Sequence, residues 1–455
     1  MMKLIFMLSS LDETGLKRIH LKITALSAGG VFLDGFDISV ISVALILLKP
    51  EFGLNYLTLG LIAASTLMGM MVGGIGIGYI TDIKGRKYMY LWDMVLFLVF
   101  TALIAISTNF TELFTFRFML GVAIGADYAI SSTIISEFSP KKYRGKLLAL
   151  NPISWGMGAV VAYIVSFLLL PLGPQSWRLM FAVGIIPAVI ILIGRRTIPE
   201  SPRWLIKDGK PSKAVDIIKG ISGVQEQTDV LKTEKTSIRT LFKREYIAST
   251  IFMSVFWFSF DVAAYGIGIF TPTILLSLGF KTVDLAILGT LMFKIISIIG
   301  GILCVVFIDK LGRKKITAMG FLGMFISLIV LAITFPPTMP IVIGMFVFFE
   351  LTDGFGPGGT NFVYPQELFP TSIRATAHGF GTTVSRVGAI LGITTFPYIK
   401  HVLGLRTSLL FFGAFALIGL LVTVALGKET KGKTLEELTE FKTQAESKEL
   451  SIDHA

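Results

Sequence analysis

The chain contains roughly twelve continuous apolar runs of about 20 residues each. A run of this length spans the hydrocarbon core of a bilayer as an α-helix, whereas the strands of a membrane barrel are shorter and alternate in polarity. Hydrophobic residues make up 53% of the chain and charged residues 16%, which excludes a soluble domain of this size. The sequence therefore predicts an all-α membrane protein with twelve transmembrane helices, near 22–47, 57–80, 89–107, 112–136, 147–170, 179–194, 247–271, 285–308, 316–335, 339–364, 376–399 and 406–427.

The formal net charge of +11 reflects topology rather than binding of nucleic acid. The loops predicted on one side hold twelve Lys or Arg, and those on the other side hold five. Because basic loops stay in the cytoplasm, both termini are predicted there, with anionic lipid as the partner of the basic charge. The basic loops are 81–88, 138–146, 309–315 and 368–376.

The N-terminal segment and the cysteine content lead to two further predictions. Lys3 is followed by a short apolar run before Asp12 and Glu13, which is too short for the core of a signal peptide, so the first span is predicted to remain. Cys304 is the single cysteine, which permits no intrachain disulfide. No metal or cofactor is predicted.

Two motifs occur twice. Asp82-Ile-Lys-Gly-Arg-Lys recurs from Asp309 at an offset of 227, and Glu137-x-x-Pro-x-x-x-Arg144 recurs from Glu367 to Arg374 at an offset of 230. Two motifs at nearly one offset indicate two six-helix repeats, which are expected to enclose a site near mid-membrane. The predicted domains are 1–195, a cytoplasmic linker with short amphipathic helices at 196–245, 246–427, and a tail at 428–455.

The charges of these repeated loops are candidates for a conformational latch. They sit where helices end, so carboxylates can pair with arginines or with helix termini at the inner face. Such pairs would hold the two halves in one state and release them in another; the alternative is that they only fix topology. The predicted latch residues are Asp82, Arg86, Glu137 and Arg144, with their repeats Asp309, Arg313, Glu367 and Arg374.

Charges also occur inside the predicted spans. Arg117, Asp127 and Glu137 are ten residues apart in span four, so each lies roughly 15 Å from the next along a helix. This places Arg117 toward one end of the span and Asp127 near mid-depth. An ionised carboxylate there costs about 2.5–3.5 kcal/mol, so Asp127 is expected to face a cavity or a partner.

Two further spans carry acids at equivalent positions of the repeat. Asp34 and Asp37 of span one are three residues apart, on one helical face. Trp257, Asp261 and Tyr265 form a stripe on span seven, and Asp261 follows Asp34 by 227 residues. With Asp127, these carboxylates have the composition of a proton relay.

The loop motifs resemble a known family. Gly78-x-x-x-Asp82-x-x-Gly85-Arg86-Lys87 and its repeat are similar to the signature of the major facilitator superfamily. Pro199-Glu-Ser-Pro-Arg-Trp204 and Glu429-Thr-Lys-Gly432 resemble its sugar-porter-type branch. The resemblance implies a transporter that works by alternating access, not an enzyme.

A finer resemblance is to the phosphate:proton symporters of that superfamily. Gly125-Ala-Asp127-Tyr128 resembles their helix 4 signature, and the stripe on span seven resembles their anion site. The resemblance implies that Asp34, Asp37 and Asp127 move protons. It implies that the substrate is lined by Tyr128, Trp257, Asp261 and Tyr265.

The chain departs from that pattern at three positions. Gly354 and Gly358 replace asparagines of the family in span ten, and Arg386 replaces a lysine in span eleven. Arg386 and the intramembrane Lys294 are predicted to supply positive charge to an anion. The alternatives are an interhelical structural pair for Arg386 and a snorkelling side chain for Lys294. Asn151 is predicted as a polar contact in the cavity.

Other functions stay open. Phe36-Asp37-Ile-Ser-Val-Ile-Ser also resembles the sugar porters, although their paired glutamines in helix 7 are absent, and Asp34-Gly-Phe-Asp37 resembles the aromatic-acid:proton symporters. A non-transporting nutrient sensor is a further alternative, while His378 is predicted to be interfacial rather than catalytic. We predict a monomeric, proton-coupled symporter of the plasma membrane that imports a small polar solute, with phosphate ahead of sugar and organic acid.

Overall fold

The computed structural model describes residues 14–140, 143, 147, 150–222, 238–361, 363–369 and 373–431. Every regular element within these ranges is a helix. The chain divides into two compact units, Met1–Lys232 and Thr233–Ala455. The border between them falls inside the predicted linker, and the three predicted domain boundaries stay a prediction.

The first unit contains six long helical elements. A 3-10 turn at Leu170–Leu172 follows the fifth, and two short helices, Pro202–Lys207 and Pro211–Ser222, follow the sixth. We label the long elements α1 (Arg18–Glu51), α2 (Tyr56–Lys84), α3 (Arg86–Ile106), α4 (Phe110–Phe138), α5 (Leu150–Leu169) and α6 (Ser176–Ala182 with Ile185–Arg196).

The second unit begins with a 3-10 turn at Ile238–Phe242 and ends in one helix of 53 residues, Arg374–Leu426. Gly404 inside that helix has non-helical dihedral angles, φ 85° and ψ 167°, so we label the parts before and after it α11 and α12. Short helices at Thr271–Ser277 and Tyr364–Leu368 connect the others. The remaining long elements are α7 (Arg244–Gly268), α8 (Val283–Leu311), α9 (Arg313–Ile333) and α10 (Met339–Phe355 with Pro357–Thr360).

Eleven helices in the described ranges are long and apolar enough to cross a membrane. The last of them, Thr376–Leu426, has 51 residues and a length of roughly 77 Å at 1.5 Å per residue. This is more than twice the ~30 Å of a hydrocarbon core. Since Gly404 divides it, it accounts for two crossings, and the predicted twelve-helix architecture is confirmed.

Local sequence explains where several helices begin. Asn55 precedes α2, and its side-chain oxygen accepts hydrogen bonds of 2.9 Å from the backbone N–H of Leu57 and of Thr58. Asn109 accepts from Glu112 at the start of α4, and Thr282 accepts from Leu285 at the start of α8. Each cap satisfies N–H groups that have no partner within the helix.

Glycines allow α2 and α4 to pack backbone against backbone. A Cβ atom on Gly69 would lie 1.9 Å from Phe118 O, and one on Gly121 would lie 2.0 Å from Thr66 O. The absence of a side chain at these positions therefore allows the two helix backbones to approach closely.

The internal repeat appears as matching turns between helices. Gly85, between α2 and α3, has φ 105° and ψ 153°, and Gly312, between α8 and α9, has φ 93° and ψ 159°. Each is followed by a helix whose first N–H groups donate to a carboxylate, which is Glu200 for α3 and Glu429 for α9. These acids belong to the Pro199–Trp204 and Glu429–Gly432 motifs, which therefore act as helix caps.

A substitution at Gly312 should destabilise the second unit. Alanine at this φ costs about 1–2 kcal/mol, and its Cβ would lie 2.3 Å from the Glu429 carboxylate that caps α9. We expect Gly312→Ala to lower the midpoint of thermal unfolding of the purified protein in detergent. Gly344→Ala is the matched control, because Gly344 is exposed within α10 with no atom within 4 Å of the added Cβ. Equal midpoints for the two variants would contradict the assignment.

Candidate functional site

Asp37 on α1 forms a buried ion pair with Arg117 on α4. The Arg117 Nη1 atom lies 3.3 Å from Asp37 Oδ1, and Thr66 on α2 donates to Asp37 Oδ2 at 3.2 Å. Asp37 is 3% exposed and Arg117 is fully buried, with its guanidinium over the Phe181 ring. The spacing of charges along span four predicted the depth of Arg117 but did not identify this partner.

Asp34 contacts a different helix. Its Oδ2 accepts a hydrogen bond of 3.0 Å from the indole nitrogen of Trp155 on α5, and the side chain is fully buried. Asp34 and Asp37 are close along α1, but their hydrogen bonds go to opposite neighbours, α5 for one and α2 with α4 for the other. The two acids, which were predicted to share one helical face, therefore lie in two different environments.

Asp127 on α4 meets two residues that the sequence analysis did not select, Arg195 at the end of α6 and Asp93 on α3. The guanidinium of Arg195 lies 2.8 Å from Asp127 Oδ1 and 3.1 Å from Asp93 Oδ1. Ser131 also donates to Asp127 at 2.9 Å. Asp127 therefore has the expected partner. Asp93 carried the signal that could have found it, since it is an acid inside a predicted span.

The two other candidates of the first unit differ in exposure. Tyr128 is half-buried and follows Asp127 on α4. Asn151, at the start of α5, is 7% exposed, and no described residue donates a hydrogen bond to its side-chain oxygen. Asn151 thus keeps an acceptor for a bound molecule.

In the second unit the predicted stripe on α7 meets Arg386 of α11. Arg386 donates a 3.0 Å hydrogen bond to the Tyr265 hydroxyl, and its Nη1 atom lies 4.0 Å from Asp261 Oδ2. Asp261 is 2% exposed and Arg386 is 8% exposed. The ring of Trp257, one turn before Asp261, packs against His378 with 5.4 Å between centroids. The stripe thus places donors and an acceptor side by side.

Lys294 on α8 pairs with Glu350 on α10, another acid that the sequence analysis did not select. The ammonium group lies 2.7 Å and 2.9 Å from the two carboxylate oxygens, and Glu350 is 1% exposed. The charge that Lys294 was predicted to offer an anion is therefore balanced by Glu350. One turn along α10, Asp353 accepts a 3.3 Å hydrogen bond from Ser297.

The glycines of α10 have a packing reason. A Cβ atom on Gly354 would lie 2.0 Å from Ser297 O of α8, and one on Gly358 would lie 2.8 Å from Asp353 O. An asparagine side chain has no space at Gly354 unless α8 moves away.

The predicted latch residues form ion pairs inside each unit. Arg86 lies 3.5 Å from Glu137 in the first unit. In the second, Arg313 makes a two-pronged contact with Glu367, at 2.9 Å and 2.8 Å, and a 2.7 Å contact with Asp309. These pairs join neighbouring helix ends of one unit, and a latch between the halves stays a prediction. Arg144 and the side chains of Asp82 and Arg374 lie outside the described part of the chain.

Comparison with known proteins decides the family. Residues 22–441 match the family model described as "Sugar (and other) transporter". The chain belongs to this family. It is therefore a multi-pass membrane transporter of the major facilitator fold, and not an enzyme.

Individual relatives of the transporter span most of its length. It is 31% identical to the inner membrane metabolite transport protein YgcS of Escherichia coli, over 93% of this chain and 95% of that protein. It is 28% identical to a repressible high-affinity phosphate permease of Neurospora crassa, over 95% and 88%. The structure of the xylose transporter XylE from E. coli in a partially occluded inward-open conformation matches with TM-score 0.78 and 24% identity, over 92% and 100%.

The Lys294–Glu350 pair leads to a prediction about the thermal stability of the protein. Lys294→Met leaves a buried carboxylate without its cation, which costs about 3–5 kcal/mol. Replacing both partners, as in Lys294→Met/Glu350→Leu, removes the unpaired charge and should restore most of the thermal stability measured in detergent. Lys281→Met, at an exposed site of the same unit, is the control and should have little effect. A double variant that is less stable than Lys294→Met would show that the two residues do not act as a pair.

Proposed function

We propose that the protein is a proton-coupled symporter that imports a small anion, inorganic phosphate, by alternating access. The observation that carries the proton coupling is the excess of buried carboxyl groups over buried cations. Among the described residues of the first unit, two buried arginines face four buried acids, Asp34, Asp37, Asp93 and Asp127.

The excess matters because carboxylates without counter-charges are unstable away from water. A group in that position takes up a proton instead of remaining ionised. In the second unit Asp261, Glu350 and Asp353 lie with the two cations Lys294 and Arg386, again leaving one acid in excess. A tenfold proton gradient supplies about 1.4 kcal/mol, and each charge moved across 100 mV about 2.3 kcal/mol. Protons bound at these sites can therefore drive uphill uptake.

Phosphate is supported by the pairing of donors with an acceptor at the α7–α11 site. Arg386 and the Tyr265 hydroxyl can donate to phosphate oxygens, while Asp261 can accept a hydrogen bond from a phosphate hydroxyl. A fully deprotonated anion such as sulfate has no hydrogen to offer Asp261 and would be repelled. The similarity to a phosphate permease of Neurospora crassa agrees with this choice.

Sugar is the second candidate. The family description and the unsatisfied amide oxygen of Asn151 favour it, since a sugar hydroxyl can donate to that oxygen. Arg386 argues against sugar, because a neutral molecule brings no negative charge to balance the guanidinium that lies beside Asp261. For either solute we propose a monomer in the plasma membrane with both termini in the cytoplasm.

The test is exchange of labelled phosphate across proteoliposomes without an imposed gradient. Asp261→Asn keeps an acceptor but removes the negative charge, so a hydrogen bond worth about 1.5–3 kcal/mol becomes a neutral one worth about 0.5–1.5 kcal/mol, and the phosphate concentration at half-saturation should rise roughly tenfold. Asp284→Asn makes the same chemical change at an exposed position of the second unit and should exchange phosphate normally.

Competing solutes separate the alternatives. Unlabelled phosphate should inhibit the exchange, and glucose and benzoate should not. Exchange of labelled glucose or benzoate in place of phosphate would contradict the phosphate assignment while preserving the transporter. Absence of exchange for all three would favour the sensor interpretation.

A further inference from the structure

Asp93 and Asp127 approach one guanidinium from two helices. Arg195 Nη1 lies 3.1 Å from Asp93 Oδ1, and its Nη2 lies 2.8 Å from Asp127 Oδ1. The guanidinium is fully buried, the two acids are 2% and 6% exposed, and the Tyr90 ring covers the cation at 3.7 Å. One positive charge therefore serves two carboxyl groups from which water is excluded.

The two carboxyl groups also lie beside the same guanidinium and line the same small cavity. No described residue donates a hydrogen bond to Asp93 Oδ2, although this oxygen is buried. Two ionised carboxylates have only acceptors and repel each other, so two of them beside one cation are stable only when they hold a proton. One bound proton would thus satisfy the Asp93 oxygen and also supply the missing positive charge.

Among the residues that the structure describes, Arg195 is the one cation that pairs with these two acids. Arg195 faces the pair from α6, Tyr90 lies one turn away on α3, and α1 presents Gly30. A Cβ atom at Gly30 would lie 1.8 Å from Asp127 Oδ2, so a side chain there would displace the carboxyl group. A cavity of about 10 Å³ is lined by both acids and Gly30, together with apolar residues such as Phe97. This space is about the smallest that holds one water molecule, which could carry a proton to or from the pair.

We propose that Asp93 and Asp127 share one proton beside Arg195, which makes Asp93 a further proton-coupling residue of this transporter. The inference rests on the proposed proton coupling and names the group that would hold the proton in the first unit. In the loaded state one proton lies between the two carboxyl groups, and Arg195 balances the remaining negative charge. Release of the proton to water leaves one uncompensated negative charge, which favours reloading from the side with more protons.

Infrared difference spectra of the full-length protein in lipid, recorded between acid and alkaline buffer, test the proposal without a substrate. A shared proton gives a C=O stretching component of a protonated carboxyl group. In Asp93→Asn, Asp127 pairs one-to-one with Arg195 and stays ionised, so the component is lost; in Asp127→Asn, Asp93 does the same. We therefore expect the same component to disappear in both variants and to persist in Asp216→Asn, an exposed control in the same unit.

Loss of the component in one variant only, or in neither, would overturn the proposal, because independent carboxyl groups behave that way. Asp93→Glu provides a second test that keeps the carboxyl group. It should shift the component without removing it, and an unshifted component would count against Asp93.

Transport separates this inference from the proposed function. Asp93→Asn should keep exchange of labelled phosphate but reduce its stimulation by an inward proton gradient to about onefold. Stimulation equal to that of the wild type would contradict a coupling role for Asp93. If the wild type exchanges no phosphate, the proposed substrate fails, while the infrared result still decides whether the two acids share a proton.

Discussion

The Asp37–Arg117 contact joins α1 to α4 at a depth where neither charge meets water. A buried arginine is stable only beside a carboxylate, so this pair and the Arg195 cluster constrain how α1, α3, α4 and α6 pack. The same contacts create a chemical imbalance. In each unit the acids outnumber the cations beside them, and these acids are the groups on which the proposed proton coupling depends.

The helix ends repeat one arrangement in both units. A glycine with positive φ separates two helices, a distant carboxylate caps the second helix, and an arginine of that helix pairs with an acid further along the chain. Because Arg86–Glu137 and Arg313–Glu367 each connect elements of one unit, they stiffen that unit internally. Stiff units suit the alternating-access mechanism proposed, in which each half moves as a body.

Sequence predicted much of this architecture and part of the site. Length and polarity of the apolar runs gave the spans, and two repeated motifs gave the two-fold organisation, since both depend on local sequence. The stripe of Trp257, Asp261 and Tyr265 could be recognised from the sequence because all three residues lie on one helix. The partners Asp93, Arg195 and Glu350 were not selected, because they come from other helices and contact depends on how those helices rotate. Arg195 in particular directly follows the predicted span 179–194, so its position gave no sign of burial, whereas the structure buries it completely.

The most direct test of the account is the steady-state ratio of dihydrogen phosphate inside to outside proteoliposomes, measured at several imposed pH gradients with the membrane potential clamped at zero. Counting that ion alone removes the effect of pH on phosphate speciation. If buried acids carry one proton with each ion, the ratio should rise about tenfold for each unit of inward pH gradient. A ratio that stays near one at every gradient would show facilitated diffusion and would contradict proton coupling by the buried carboxyl groups.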